Sequence, residues 1–373
     1  MDSLNFNFKC TVCGSIVSRP LPTCPYCSGL VTVEYKEYAY RIDRSKPGIW
    51  RYSSLLPRFN EMISRGEGLT PVSKVEGVLV KNERKNPTGS YADRASAVIA
   101  SYIRDANLEY VTTSYVDDFT YSLIFYLKDT VKIEILIEDL HQASFDDLLK
   151  FIGNEGVELA LRRGMSVRDD TIEYVNPLTI EGLKTIIFEI YERGLNVENI
   201  VVPMETGVLA YSLAKGIEDL RRSGLDVNYN VVAAMIGDSR GQVVVSRPEI
   251  RIFHVEGYEV LKVLSKLAKR GFITKPISAA SYAVAENLGS SIAVITMGFK
   301  PYKVTLRERR LKDVIFKVLS ERGPLTAYGV WRENPRYTLR GYYKALKSME
   351  LRGDVCSEVV LKGARRVKLY KLC

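Results

Sequence analysis

Between about residue 40 and residue 300, short β-branched runs alternate with longer stretches whose apolar residues recur every three or four positions. Gly77–Val80, Tyr110–Thr113, Ile133–Ile137, Asn199–Val202, Val231–Met235 and Ile292–Thr296 read as strands. Ala92–Arg104, Phe145–Gly153, Ile180–Arg193, Leu209–Ser223 and Val260–Arg270 read as helices. Such alternation predicts an α/β body with largely parallel sheets. From Thr305 the pattern changes. Leu306–Glu321 reads as a helix that Gly323-Pro324 ends, Leu325–Arg332 as a short second helix, Asn334-Pro335 as a turn and Tyr337–Arg352 as a third helix. Strands Val355–Leu361 and Val367–Leu372 then flank a glycine-containing hairpin tip. The longest apolar runs, Leu123–Leu127 and Ile292–Met297, fall far short of the ~20 residues of a membrane-spanning helix, so no membrane anchor is expected.

Composition sharpens this picture in one place. The chain has 373 residues, 46% hydrophobic and 26% charged, an ordinary globular mixture with room for two or three domains. Its net charge is +9, but residues 301–373 hold 18 Lys and Arg against 7 Asp and Glu, whereas the first 300 hold 35 against 37. All the excess positive charge therefore sits in the last fifth of the protein. That asymmetry points to a polyanion-binding module joined to a neutral body, a partnerless basic tail being the alternative. The N-terminus lacks the basic region and apolar core of a secretory signal, so the expected compartment is the cytoplasm, where disulfides are rare.

Four of the six cysteines form Cys10-x-x-Cys13 and Cys24-x-x-Cys27, two knuckles whose spacing brings four thiolates onto one tetrahedral zinc. Gly14 and Pro25 suit tight turns, and Phe6, Phe8, Val31 and Val33 suit short flanking strands. Residues 1–40 thus read as a zinc ribbon with a closed, structural site; a redox pair is the rival reading. Cys356 and Cys373 are isolated and read as packing or terminal residues. His141 and His254 are the only histidines, too few for a histidine metal site.

In the third C-terminal helix Leu339, Tyr342, Leu346 and Met349 share one face, while Arg340, Tyr343, Lys344 and Lys347 share another. With the hairpin, residues 303–373 resemble a winged helix-turn-helix. That resemblance implies duplex DNA as partner, read by Arg336, Arg340, Tyr343, Lys344 and Lys347, with Lys362, Arg365 and Arg366 of the hairpin against the backbone or minor groove. Winged helices also serve as protein contacts.

Within residues 41–302 a set of motifs becomes recognisable. Trp50-Arg51-Tyr52, Leu55-Leu56-Pro57, Gly66-Glu67-Gly68-Leu69-Thr70-Pro71, Lys81-Asn82-Glu83, Asn86-Pro87-Thr88-Gly89-Ser90-Tyr91 and Asp93-Arg94 resemble threonine synthase. Glu181-Gly182-Leu183-Lys184-Thr185, Glu189 and Val202-Pro203 extend the match, which spans roughly residues 8 to 300. It implies the two-lobed fold type II architecture of pyridoxal-phosphate (PLP) enzymes. Three positions depart from the pattern. Ala92 stands where the family has its Schiff-base lysine; Ser114-Tyr115-Val116-Asp117-Asp118 replaces a Ser-Gly-Asn turn; and Met204-Glu205-Thr206-Gly207-Val208 replaces a glycine-rich phosphate cradle. Lys74, Lys81 and Lys85 are the nearby lysines considered as substitutes. From these departures the expectation is a non-catalytic protein that takes no PLP. The body would serve as dimerisation or effector-sensing domain, with a small amino-acid-like effector, of a homodimeric, nucleoid-associated transcription regulator. A replication or transcription scaffold or initiator, and a divergent lyase or synthase, are the alternatives.

Overall fold

Apolar strands alternating with helices build the body around two largely parallel sheets. A computed structural model of the chain describes residues 5–127, 130–140, 143, 148, 151–152, 154, 156–161, 171–237, 247–298, 311–335, 337–362 and 365–373. The chain divides into two units, Met1–Tyr302 and Lys303–Cys373.

The first unit opens with an antiparallel three-stranded sheet of β1 (Phe6–Cys10), β2 (Ile16–Val17) and β3 (Val31–Tyr35), in the order β2-β1-β3. Alternate residues Phe6, Phe8, Val31, Val33 and Tyr35 face inward and join the core of the body. The larger sheet contains β4 (Val72–Val75), β5 (Val78–Asn82), β9 (Asn199–Pro203), β10 (Asn230–Ile236), β11 (Arg251–Val255) and β12 (Ser291–Ile295). Its order is β11-β10-β9-β12-β5-β4, parallel throughout except for the antiparallel edge strand β4. β9 and β12 are buried at every position, as expected for strands covered on both faces. A smaller parallel sheet is formed by β6 (Tyr110–Ser114), β7 (Lys132–Ile137) and β8 (Val157–Leu161).

Six helices of the first unit are described: α1 (Ala92–Asp105), α2 (Asp117–Leu127), α3 (Pro177–Glu192), α4 (Val208–Arg222), α5 (Gly257–Lys269) and α6 (Pro276–Leu288). α3 starts sharply because the Asn176 side chain accepts from the Leu178 and Thr179 amides, at 2.8 and 3.0 Å, with Pro177 at the first helical position. It crosses α1 so closely that a Cβ on Gly182 would lie 2.3 Å from the Arg94 carbonyl oxygen, so only glycine permits the crossing. The expected helix at Phe145–Gly153 falls largely outside the described residues, as does His141.

The residues that carry the resemblance turn out to be core electrostatics. Lys81 contacts Glu189 at 2.6 Å, and Arg94 contacts Glu83 at 2.7 Å and Glu189 at 2.6 Å, all four side chains being shut off from water. Thr70 donates to Glu83 at 2.5 Å. A second cluster joins Lys184 to Asp219 at 2.5 Å and Lys215 to both Asp219 and Glu181 at 3.1 Å, with the Tyr35 hydroxyl donating to Glu181. Each cluster pairs two cations with two carboxylates, the condition under which buried charge is tolerated.

The second unit comprises α7 (Leu311–Arg322), α8 (Ala327–Glu333), α9 (Leu339–Glu350) and a hairpin of β13 (Val355–Lys362) and β14 (Arg365–Leu372). Ile315, Leu319, Val330, Tyr342, Leu346 and Met349 form its core with Val355 and Tyr370 of the hairpin. Thr326 and Thr338 cap α8 and α9 by accepting from the Gly329 and Gly341 amides, at 2.9 and 3.2 Å. Cys356 and Cys373 form a disulfide, with Cα atoms 5.1 Å apart, which corrects the expectation of two unlinked cysteines. The hairpin register explains it: Val355 faces Leu372, so the next residue of the chain lies beside the start of β13. Among the described residues no helix is long and apolar enough to cross a membrane.

Candidate active site

In parallel sheets the open crevice lies beyond the carboxyl ends of the strands, where loops diverge to opposite sides. Here that place is a cavity of about 430 Å³, in the size range of small-molecule sites. Pro203 ends β9 and Glu205 follows it, Ile236 ends β10, Thr296 follows β12, and Val116 and Asp117 follow β6 of the smaller sheet. Three helices begin at the cavity: α2 at Asp117, α4 at Val208 and α6 at Pro276. Their amides and dipoles make the region receptive to negative charge.

Tyr91 and Tyr174 form one wall, their hydroxyls 2.6 Å apart. Burial pushes both phenols above their ordinary range. Thr296 shares a 2.7 Å hydrogen bond with Ser278, and its carbonyl accepts from the Tyr91 amide at 2.9 Å, which ties the start of α1 to the end of β12.

The three departures from the family pattern occupy different places. Ala92 is fully buried at the first position of α1, its amide donating to the Ser90 hydroxyl at 3.1 Å. Asp117 and Asp118 begin α2, not a loop as the sequence suggested, and both pair with Lys275, Asp118 at 2.7 Å. Glu205 is an exposed residue of the lining, and its charge adds to the burial that raises the Tyr91 and Tyr174 phenols. Behind it Gly207 takes φ +87°, a left-handed conformation that suits glycine, and α4 starts there with no side-chain cap on its first amides. Of the lysines weighed as substitutes, Lys81 is locked in the buried ion cluster and Lys74 and Lys85 are exposed outside the cavity. Lys275, which the sequence reading passed over, lines the cavity. Its signal was present in Lys275-Pro276, a cation directly before a helix-starting proline.

The residues fit PLP in kind. The uncapped start of α4, with Thr206 and Gly207, suits a phosphate, and Tyr91, Tyr174 and Thr296 suit the edges and face of a polar ring.

Comparison with known proteins gives the same direction. No family model matches the chain. A threonine synthase from Methanosarcina acetivorans is 28% identical over 253 residues, 59% of this chain and 62% of that protein. One from Methanocaldococcus jannaschii is 26% identical over 252 residues, 58% of this chain and 62% of that protein. The chain thus spans less than two thirds of the length of these curated relatives. The crystal structure of serine racemase from Dictyostelium discoideum superposes with a TM-score of 0.52 at 16% identity, covering 63% of this chain and 93% of that one. The body has a threonine synthase-like PLP fold. Two expectations are corrected at this point. Both curated relatives are named as an enzyme, which corrects the reading of the chain as non-catalytic, and the body shares its fold with a serine racemase, which with those names points to PLP and corrects the reading that it takes none. The sequence reading took three departures, at Ala92, at Ser114–Asp118 and at Met204–Val208, as loss of the whole site.

Away from this cavity, the Sγ atoms of Cys10, Cys13, Cys24 and Cys27 all lie within 4.8 Å of one another, an arrangement able to hold a metal ion. The Cys10–Cys27 and Cys13–Cys24 separations are 3.4 and 3.7 Å, close to the ~3.8 Å edge of a tetrahedron of sulfurs about 2.3 Å from zinc.

In the second unit Arg340, Tyr343, Lys344 and Lys347 are exposed on the face of α9 opposite Tyr342, Leu346 and Met349. Arg366 is exposed on β14. Lys362 and Arg365 end the two strands, and their side chains, like Arg336, lie outside the described residues.

Proposed function

We propose that the body is a PLP-dependent lyase or synthase acting on an amino acid. The observation that carries this reading is the cavity at the strand ends of both sheets, where the uncapped start of α4 meets the Tyr91–Tyr174 wall. When bound, the cofactor would supply an electron sink for breaking bonds at the substrate α-carbon. The chain's own residues do the rest. The first amides of α4, with Thr206, would hold the phosphate, and Tyr91, Tyr174 and Thr296, which line the cavity, would contact the ring. The start of α6 would favour a substrate carboxylate, whereas that of α2 is already occupied by Asp117 and Asp118.

The test is exchange of the α-proton. Full chain supplied with PLP in D2O is expected to catalyse loss of the α-proton signal, followed by proton NMR, from at least one of a panel of amino acids that includes phosphohomoserine. A chain that binds PLP yet exchanges none of them would sink the enzyme reading.

A second reading concerns Lys303–Cys373, and the exposed basic face of α9 favours it. We propose that this unit is a winged helix that binds duplex DNA, with α9 in the major groove. Arg340→Ala and Lys344→Ala are expected to weaken binding about 10-fold each, the loss of one good contact of ~1–3 kcal/mol, with little change in unfolding temperature. Arg366→Ala should flatten the plot of log K against log salt by about one unit. Fluorescence anisotropy with duplex DNA at several salt concentrations reads both effects. A large loss of stability in either helix variant would show that those side chains pack. We further propose that the four cysteines hold a structural zinc.

A further inference from the structure

We propose that Lys275 is the amine that binds the cofactor aldehyde in this chain, in place of the lysine that the family has where Ala92 stands. The inference rests on the reading of the cavity as a PLP site and names the residue that makes the site work.

Among the described residues that line the cavity, Lys275 is the one that carries an amine. Its position runs against local preference. It directly precedes Pro276, the first residue of α6, at the helix end where backbone amides disfavour a cation and no side chain caps them. Asp118 at 2.7 Å and Asp117 hold its Nζ across the crevice from α2. The side chain is about one third exposed and lines the cavity, with Nζ fixed by the two carboxylates. The segment is fixed too: the Thr274 hydroxyl donates to the Met297 carbonyl at 2.6 Å, and Ser278 bonds Thr296 at 2.7 Å. Lys275 is therefore hung from the strand end that the Tyr91 amide also contacts. This is an amine delivered to the cavity from α6 instead of α1.

The chemistry balances without oxidant or reductant. The ammonium gives up one proton to solvent base, and the neutral amine attacks the aldehyde carbon. A carbon–nitrogen bond forms, the carbonyl oxygen leaves as water, and the C=N nitrogen takes back the proton. Ammonium plus aldehyde thus gives protonated imine plus water. Burial pulls the Lys275 ammonium down, but the charges of Asp118 and Asp117 more than offset this and hold it above its ordinary range. The same carboxylates would stabilise the charged imine nitrogen.

The test uses full-length protein with one equivalent of PLP, borohydride reduction and peptide mass mapping, alongside the visible absorbance band of the imine. The expected result is a reduced pyridoxyl group on the peptide containing Lys275, and loss of both band and adduct in Lys275→Arg. That substitution keeps the cation between Asp117 and Asp118, so a purely structural ion pair would leave the band untouched. An adduct on another lysine, labelling spread over exposed lysines without enrichment at Lys275, or a band that survives in Lys275→Arg overturns the assignment while leaving the cofactor reading intact. If native chain binds no PLP, covalently or otherwise, both fall.

Discussion

Glu189→Gln is expected to lower the stability of the body by about 3–5 kcal/mol, the range for removing one partner of a buried ion cluster. Glu189 is the shared acceptor of Lys81 and Arg94 and also accepts from the Leu69 amide at 2.7 Å. Without its charge, two buried cations face Glu83 alone, and no water can reach them. Exposed Glu198→Gln should by contrast change stability by no more than ~0.5 kcal/mol. Urea unfolding followed by circular dichroism measures both. The cluster also sets an acid limit. Burial pushes Glu189 and Glu83 upward, but Arg94 and Lys81 outweigh it and hold both carboxyls below the ordinary range. The stability they contribute is thus fully present above the unfolded glutamate value of ~4.3 and is lost as pH falls through the lowered folded values. Glu189→Gln should therefore lose less on acidification than the native chain. Equal stability of Glu189→Gln and native chain at neutral pH would show that the cluster is hydrated.

The second large effect is expected at the cysteines. Native chain should release one zinc on titration with a mercurial, and Cys24→Ser should carry none. Ligand and folding free energies are coupled in such sites, and the inward residues of β1 and β3 are part of the body's core. The loss should accordingly reach several kcal/mol, lowering the unfolding temperature by about 10 °C at roughly 2–4 °C per kcal/mol. Limited proteolysis should then cut first among residues 5–35. Native protein free of metal and as stable as Cys24→Ser would contradict the zinc assignment.

The sequence revealed six strands of the body because they are apolar runs, and it missed β4, β8 and β11, which lie at sheet edges and are half exposed; of the six described helices it missed α2 and α6. The two faces of α9 were legible for a similar reason, since a 3.6-residue period separates Tyr342, Leu346 and Met349 from Arg340, Tyr343 and Lys344. The roles of Lys81, Glu83, Arg94, Glu181, Lys184 and Glu189 were not, because charged residues read as surface until tertiary structure pairs them inside. α2 was hidden by the acidic pair Asp117-Asp118, which resembles a turn and in fact starts a helix at its favourable end. The Cys356–Cys373 link depends on strand register, which spacing alone does not fix. Lys275 escaped because the search for an amine followed the motif around Ala92, whereas the cavity is assembled from strand ends far apart in the chain.

Equilibrium dialysis of the full chain against PLP tests the central claim most directly. The account predicts saturable uptake of one PLP per chain, competed by inorganic phosphate, and weakened when Gly207→Val blocks the approach to the start of α4. Absence of uptake, or uptake indifferent to phosphate and to Gly207→Val, would contradict it.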